Sequence, residues 1–146
     1  MRYLLFFLIF FNSLLFAQKQ KNNVSKVDSV DYYLELSNFN IKTNNYKFSL
    51  VFAQKAIDYA NTTKDIKAQA NSYASLGRIY FDLKKYDDAI ETYTKSISLF
   101  NSIKPSSQQA YAFYNLGLSY MEKGEYTKAE VYFDNAKTIY NTIKIP

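Results

Sequence analysis

The chain repeats itself every 40 residues. Residues 70–104 and 110–144 match stretch by stretch: "SYASLGRIY" falls on "AFYNLGLSY", "KKYDDAIETY" on "GEYTKAEVYF" and "FNSIK" on "YNTIK". A fainter copy lies 40 residues earlier, around "DYYLELSNFN" and "NNYKFSLVFAQKAI", and Tyr46, Tyr86 and Tyr126 hold one register through all three. Self-similarity at such a period marks a stack of supersecondary units, none of which can bury its apolar face alone. The fold therefore reduces to one unit and the way copies of it pack.

Within a copy the periodicity is helical. Tyr73, Leu76, Gly77 and Tyr80, and again Phe113, Leu116, Gly117 and Tyr120, fall at i, i+3, i+4 and i+7. A second amphipathic run starts at Tyr86 or Tyr126 and carries Ala89, Tyr93 and Ser96, or Ala129, Phe133 and Ala136. Between the runs stand "TNN", "LKK" and "EKG". Asn44 and Gly124 suit the left-handed residue that ends a helix, and Lys84 fills the same place less comfortably. Three glycines and two prolines in 146 residues leave little turn chemistry for an all-β fold. The expectation is an all-α chain, an α-solenoid of three stacked helix-turn-helix hairpins at about 30–63, 70–103 and 110–143.

The order of residues in each copy resembles the tetratricopeptide repeat: an aromatic, leucine–glycine, tyrosine, then alanine and an aromatic. Here those are Tyr73, Leu76, Gly77, Tyr80, Ala89 and Tyr93, then Phe113, Leu116, Gly117, Tyr120, Ala129 and Phe133. The first copy keeps Tyr33, Leu36, Ser37, Ser49 and Ala53, with Asn40 in place of the tyrosine. The resemblance covers residues 30–143. It departs from the family in its period, since the usual repeat is about 34 residues long. The excess lies between Ser96 and Phe113, so longer second helices are expected, with a boundary at "PSSQQ" (105–109), where Ser106 and Gln109 have capping-box spacing.

Three positions per copy are small: Ser37, Ser49 and Ala56; Gly77, Ala89 and Ser96; Gly117, Ala129 and Ala136. Paired helices that cross closely demand this, because a larger side chain there forces them apart at about 1–3 kcal/mol. Mid-helix glycine costs about 1 kcal/mol against alanine, a cost offset by the contact it allows.

Residues 1–17, "MRYLLFFLIFFNSLLFA", read as a secretory signal peptide. Arg2 opens it, Leu4 to Phe11 is unbroken hydrocarbon, and cleavage is expected between Ala17 and Gln18. The apolar part is shorter than the ~20 residues a membrane span requires. A polar tail follows at 18–27, then a repeat domain at 28–146. The chain is expected to be exported, periplasmic or secreted, with no membrane span once the signal is removed; the alternative is anchorage by an uncleaved leader. With no cysteine, an exported chain must be held by its core alone.

Composition also limits chemistry. No histidine or cysteine is present, which excludes Ser-His and Cys-His nucleophile systems and His/Cys metal sites. No glycine-rich phosphate loop exists. Asp87 and Asp88 are adjacent on a helix and do not face each other; a first-turn position beside the helix dipole explains them. Glu122 and Glu125 flank a turn as solvated surface. The net charge of +5 comes from sixteen scattered lysines and two arginines against thirteen acids, unlike the arginine-rich patches that read nucleic acid. Lys19, Lys21 and Lys26 make the tail basic. Asn23 and Asn61 open glycosylation sequons explained by composition. No catalytic, cofactor or metal site is expected, and no nucleic-acid partner.

The resemblance implies that the first helices of successive hairpins line a concave groove for a peptide or helix of a protein partner. By position that face holds Asp31, Leu34, Asn38 and Ile41, then Asn71, Ala74, Arg78 and Phe81, then Tyr111, Tyr114, Leu118 and Met121. Family members that grip a C-terminal carboxylate use lysines, arginines and asparagines at positions occupied here by Leu34, Asn38, Ser75, Tyr111 and Asn115; two asparagines remain and every cation is missing, so that activity is not expected. Ile139, Ile143 and Ile145 leave the last hairpin bare. Either self-association covers that end, or the chain is a shortened relative of the extracytoplasmic repeat region of a sensor kinase or transcriptional regulator. The resemblance thus implies a non-enzymatic, exported scaffold that binds protein.

Overall fold

The computed structural model describes residues 29–144. The expected leader, its cleavage point, the polar tail with its three lysines, the Asn23 sequon and Ile145 lie outside the described residues. Six helices and no strand occur among them: α1 Val30–Lys42, α2 Tyr46–Thr63, α3 Ile66–Asp82, α4 Tyr86–Phe100, α5 Ser107–Glu122 and α6 Tyr126–Lys144. They form three antiparallel hairpins, α1/α2, α3/α4 and α5/α6, with α3 packed on α2 and α5 on α4. The odd helices also touch each other, α1 with α3 and α3 with α5, and make one side of the stack.

The first helix of every hairpin is capped by a side chain. Ser29 accepts from the Tyr32 amide at 3.1 Å, Asp65 from Ala68 at 3.0 Å and Ser106 from Gln109 at 3.2 Å. Each cap contributes about 1 kcal/mol. Gln109 does not complete a capping box; its amide nitrogen instead donates to Asn101 Oδ1 at 2.9 Å, tying α5 to the end of α4.

The three hairpin turns share one geometry. The Asn45 amide donates to the Asn40 carbonyl and Asn44 to Ile41; Lys85 to Tyr80 and Lys84 to Phe81; Glu125 to Tyr120 and Gly124 to Met121. This pair of bonds is a Schellman motif, and it requires a left-handed residue at its centre. Asn44, Lys84 and Gly124 supply it with φ of 56°, 59° and 78°. Lys64 adopts φ 55° between α2 and α3, a fourth left-handed position that no turn residue announces.

The extra residues of the 40-residue period go to different places at the two junctions. At the first, α2 runs to Thr63 and α3 begins at Ile66, so the helices are long and the link is short. At the second, α4 stops at Phe100 and the chain crosses Pro105 before α5 starts at Ser107.

All nine small positions are buried. What they meet differs from a simple approach of two backbones. A Cβ on Gly77 would stand 3.0 Å from the Tyr93 ring, and one on Gly117 would stand 2.7 Å from Phe133 and 3.2 Å from the Ala129 carbonyl. In both hairpins the glycine makes room for an aromatic ring sixteen residues on. In the first hairpin the same pair is Ser37 and Ala53, and both are buried. There the hydroxyls do the joining: Ser37 Oγ donates to the Ser49 carbonyl at 3.2 Å and Ser49 Oγ to the Ser37 carbonyl at 3.3 Å. Ser96 similarly donates to the Ala70 carbonyl at 2.8 Å. The main core combines Ala70, Ala74, Ala89, Tyr93, Ile97 and Phe100 with Ala112 and Leu116 of the next hairpin.

Candidate partner-binding groove

The odd helices each present a face to one side of the stack; polar and apolar groups alternate along it on α1 and α3, and α5 contributes aromatic and apolar ones. Two depressions result. The first, of about 340 Å³, lies across all three hairpins and is lined by Leu34 and Asn38 of α1, Asn71, Ala74, Ser75 and Arg78 of α3, and Gln108 and Tyr111 of α5. The expected groove residues Leu34, Asn38, Asn71, Arg78 and Tyr111 are thus brought together.

Arg78 is the cation at the centre. Its guanidinium donates to Tyr111 Oη at 3.4 Å, its Nε lies 3.7 Å from Asp82, and its side chain is 50% exposed. Burial works against its charge, but Tyr111 and Asp82 outweigh that and raise its pKa, so the group stays cationic. Beside it, the Tyr93 hydroxyl is buried without a hydrogen-bond partner. The surface offers one guanidinium, several amide and hydroxyl groups and two apolar walls. That set has the donors and acceptors that a peptide backbone requires, with one cation for an acidic or acceptor group.

The second depression, of about 590 Å³, sits on the outer side of the last hairpin. Tyr114, Leu118 and Met121 of α5 line it with Phe133, Ala136, Lys137, Tyr140 and Asn141 of α6. These three expected residues therefore stand apart from the other five.

Ile41 and Phe81 belong to neither depression. Ile41 is 7% exposed and sits in a buried cluster with Ala53 and Ile79. Ile79 of the next hairpin covers it, and a position taken as groove from the repeat pattern is core here. Phe81 is half-buried and packs edge-on against Tyr86 with ring centres 5.7 Å apart. Asp31 is exposed at the start of α1. Of the carboxylate-grip positions, Asn115 is buried and its amide donates to the Tyr111 carbonyl at 2.7 Å. Gln108 was missed as a groove residue because it precedes the aromatic that opens the repeat pattern; only its place in the first turn of α5 beside Tyr111 signals it.

Asp87 and Asp88 occupy the first turn of α4. Asp87 forms an ion pair with Lys123 of the next hairpin, and Tyr86 donates to Glu122 at 3.1 Å, so these groups join neighbouring repeats. Among the described residues no group of histidine, cysteine, aspartate and glutamate is placed to hold a metal ion. Nor is any described helix long and apolar enough to cross a membrane.

Residues 70–101 and 110–142 each match the tetratricopeptide repeat family model. No curated protein matches the chain. Among solved structures, BtubC from P. vanneervenii superposes with a TM-score of 0.72 at 18% identity, covering 80% of this chain and 48% of that one. Aspartyl phosphate phosphatase F from Bacillus subtilis gives 0.71 at 22% identity, covering 80% and 30%. The TPR domain of Arabidopsis FLU gives 0.68 at 17% identity, covering 77% and 95%. The chain spans about half of the first of these proteins and under a third of the second. At these identities the likeness concerns the fold.

Proposed function

We propose that this chain, whose residues 70–101 and 110–142 are tetratricopeptide repeats, is an exported, non-enzymatic scaffold that holds an extended peptide segment of a partner protein across α1, α3 and α5. The observation that carries this reading is the depression in which Leu34, Asn38, Asn71, Arg78 and Tyr111 converge from three separate hairpins. The lining is assembled from three repeats, and exposed or half-buried amides beside a guanidinium favour a polar chain over an apolar one. Export follows the leader-like composition of residues 1–17. The apolar lining of the depression on the last hairpin, open among the described residues, supports self-association as a second, separate contact.

The groove is tested by selecting binders from a random peptide library displayed on phage and measuring their affinity for Asn71→Ala and Arg78→Ala proteins. Selected peptides should lose at least ten-fold in affinity with each variant and be unaffected by Lys47→Ala on the exposed side of α2. Equal affinity for all of these proteins would contradict the reading.

A further inference from the structure

The depression on the last hairpin is a vacant copy of a junction that the molecule already contains. Its lining residues stand 40 positions after the residues of α3 and α4 that receive α5. Ala74, Tyr93, Ile97 and Phe100 share a buried cluster with Ala112 and Leu116 of α5. Arg78 bonds Tyr111, and Asn101 bonds Gln109. Forty residues on, the same places are Tyr114, Phe133, Lys137 and Tyr140, then Leu118 and Asn141, all of which line the open depression. The seat for a following first helix is therefore formed, and among the described residues it is open.

The matching half of the junction is partly exposed at the other end, among the described residues. On α3 and α5 the residues Ser72, Ile79, Ala112, Asn115 and Ser119 are buried. Their equivalents on α1 are Tyr32, Glu35 and Phe39, of which Glu35 is exposed and Phe39 is 63% exposed. Ile79 packs against Ile41 and Ala53. Eighty residues on from Ile41 and Ala53 stand Met121 and Phe133, both in the seat. A helix placed there as α3 is placed on α2 would lay its Phe39 against those two residues. Asp31 and Glu35 on α1 also oppose in charge the Lys137 of the seat.

We propose that the seat on α5 and α6 is occupied by α1 of a second copy of this chain, with Phe39 of that copy against Met121 and Phe133. The inference rests on the self-association part of the reading above and is independent of the groove. The contact joins two different surfaces, so each added copy leaves a free seat and a free α1, and the assembly grows until its rotation closes a ring or continues as an open filament.

The chain has no cysteine, so the register can be read by disulfide trapping. Phe39→Cys and Met121→Cys proteins, each first shown by circular dichroism to be folded, are oxidised mildly alone and as a mixture. The proposal requires a linked dimer in the mixture at ten-fold or more over either protein alone. It also requires a sedimentation mass that rises with concentration in the unmodified protein and falls to that of one chain in Phe39→Asp. Linkage of Met121→Cys with itself would mean that seats face each other, and would overturn the register while leaving self-association standing. A rising mass without Phe39–Met121 linkage would do the same. A single-chain mass at all concentrations would overturn both, and neither result touches peptide binding in the groove.

Discussion

The Tyr93 ring lies over the bare backbone of Gly77, close enough that a Cβ there would stand 3.0 Å from three ring carbons. Tyr93 is fully buried by this arrangement. The glycine penalty in α3 is thus exchanged for burial of an aromatic side chain, worth about 1.5–3 kcal/mol. Gly117 and Phe133 repeat the relationship more tightly.

Because Phe133 and the Ala129 carbonyl both crowd Gly117, Gly117→Val should destabilise the protein by about 2 kcal/mol through overpacking. With Phe133→Ala in the same chain the valine has space, as Ser37 has beside Ala53. The cost of the valine should then fall by about 1 kcal/mol or more. Urea denaturation of the four proteins measures the coupling; additive costs would show that the ring is not what the glycine accommodates.

Lys84 and Gly124 hold the same left-handed turn position, and only Gly124 lacks the Cβ that disfavours it. A left-handed non-glycine residue costs about 1–2 kcal/mol. Lys84→Gly should therefore stabilise the chain by about 1 kcal/mol, and Gly124→Ala should destabilise it by a similar amount. Thermal melts check both signs.

Burial raises the pKa of the Tyr93 phenol well above its ordinary value, with a further push from Tyr111 and against a smaller pull from Arg78. In the unfolded chain the phenol ionises at about pH 10. The folded state holds its proton to higher pH, so stability is unaffected below pH 10 and falls as pH rises beyond it. Tyr93→Phe should shift alkaline unfolding, followed by circular dichroism, to higher pH. At neutral pH it should also gain about 1 kcal/mol, because an unpartnered buried hydroxyl is removed.

The repeat made the hairpins and their turns legible, since small residues, aromatic positions and turn residues recur without drift. The partners of the small residues were less so. Leucine–glycine reads as a close crossing, but only the folded structure shows that Gly77 faces Tyr93 and Gly117 faces Phe133. The groove was legible in part: Asn38 and Arg78, 40 residues apart, line one depression together with Tyr111 from a different place in the repeat, whereas Leu118, their third equivalent, lines the other. It failed at Ile41, whose equivalents are Phe81 and Met121. Ile79 of the next hairpin packs on Ile41, and the residue 40 positions further on is the much smaller Ser119. Exposure there is set by the neighbouring repeat and cannot be read from the repeat itself. The left-handed Lys64 was invisible for a related reason, because lysine carries no signal for that conformation.

The first hairpin, residues 30–63, falls outside the segments matched by the family model, so the stacking of α1 on α3 is the claim on which the three-hairpin groove depends. Ser37 Oγ lies 3.5 Å from Ser75 Oγ across that junction. In this cysteine-free chain, Ser37→Cys with Ser75→Cys should form an intramolecular disulfide within minutes of mild oxidation. The linked protein should run faster on a non-reducing gel and unfold at higher urea concentration. A folded double variant whose two thiols stay free under the same oxidation would contradict the stacked arrangement.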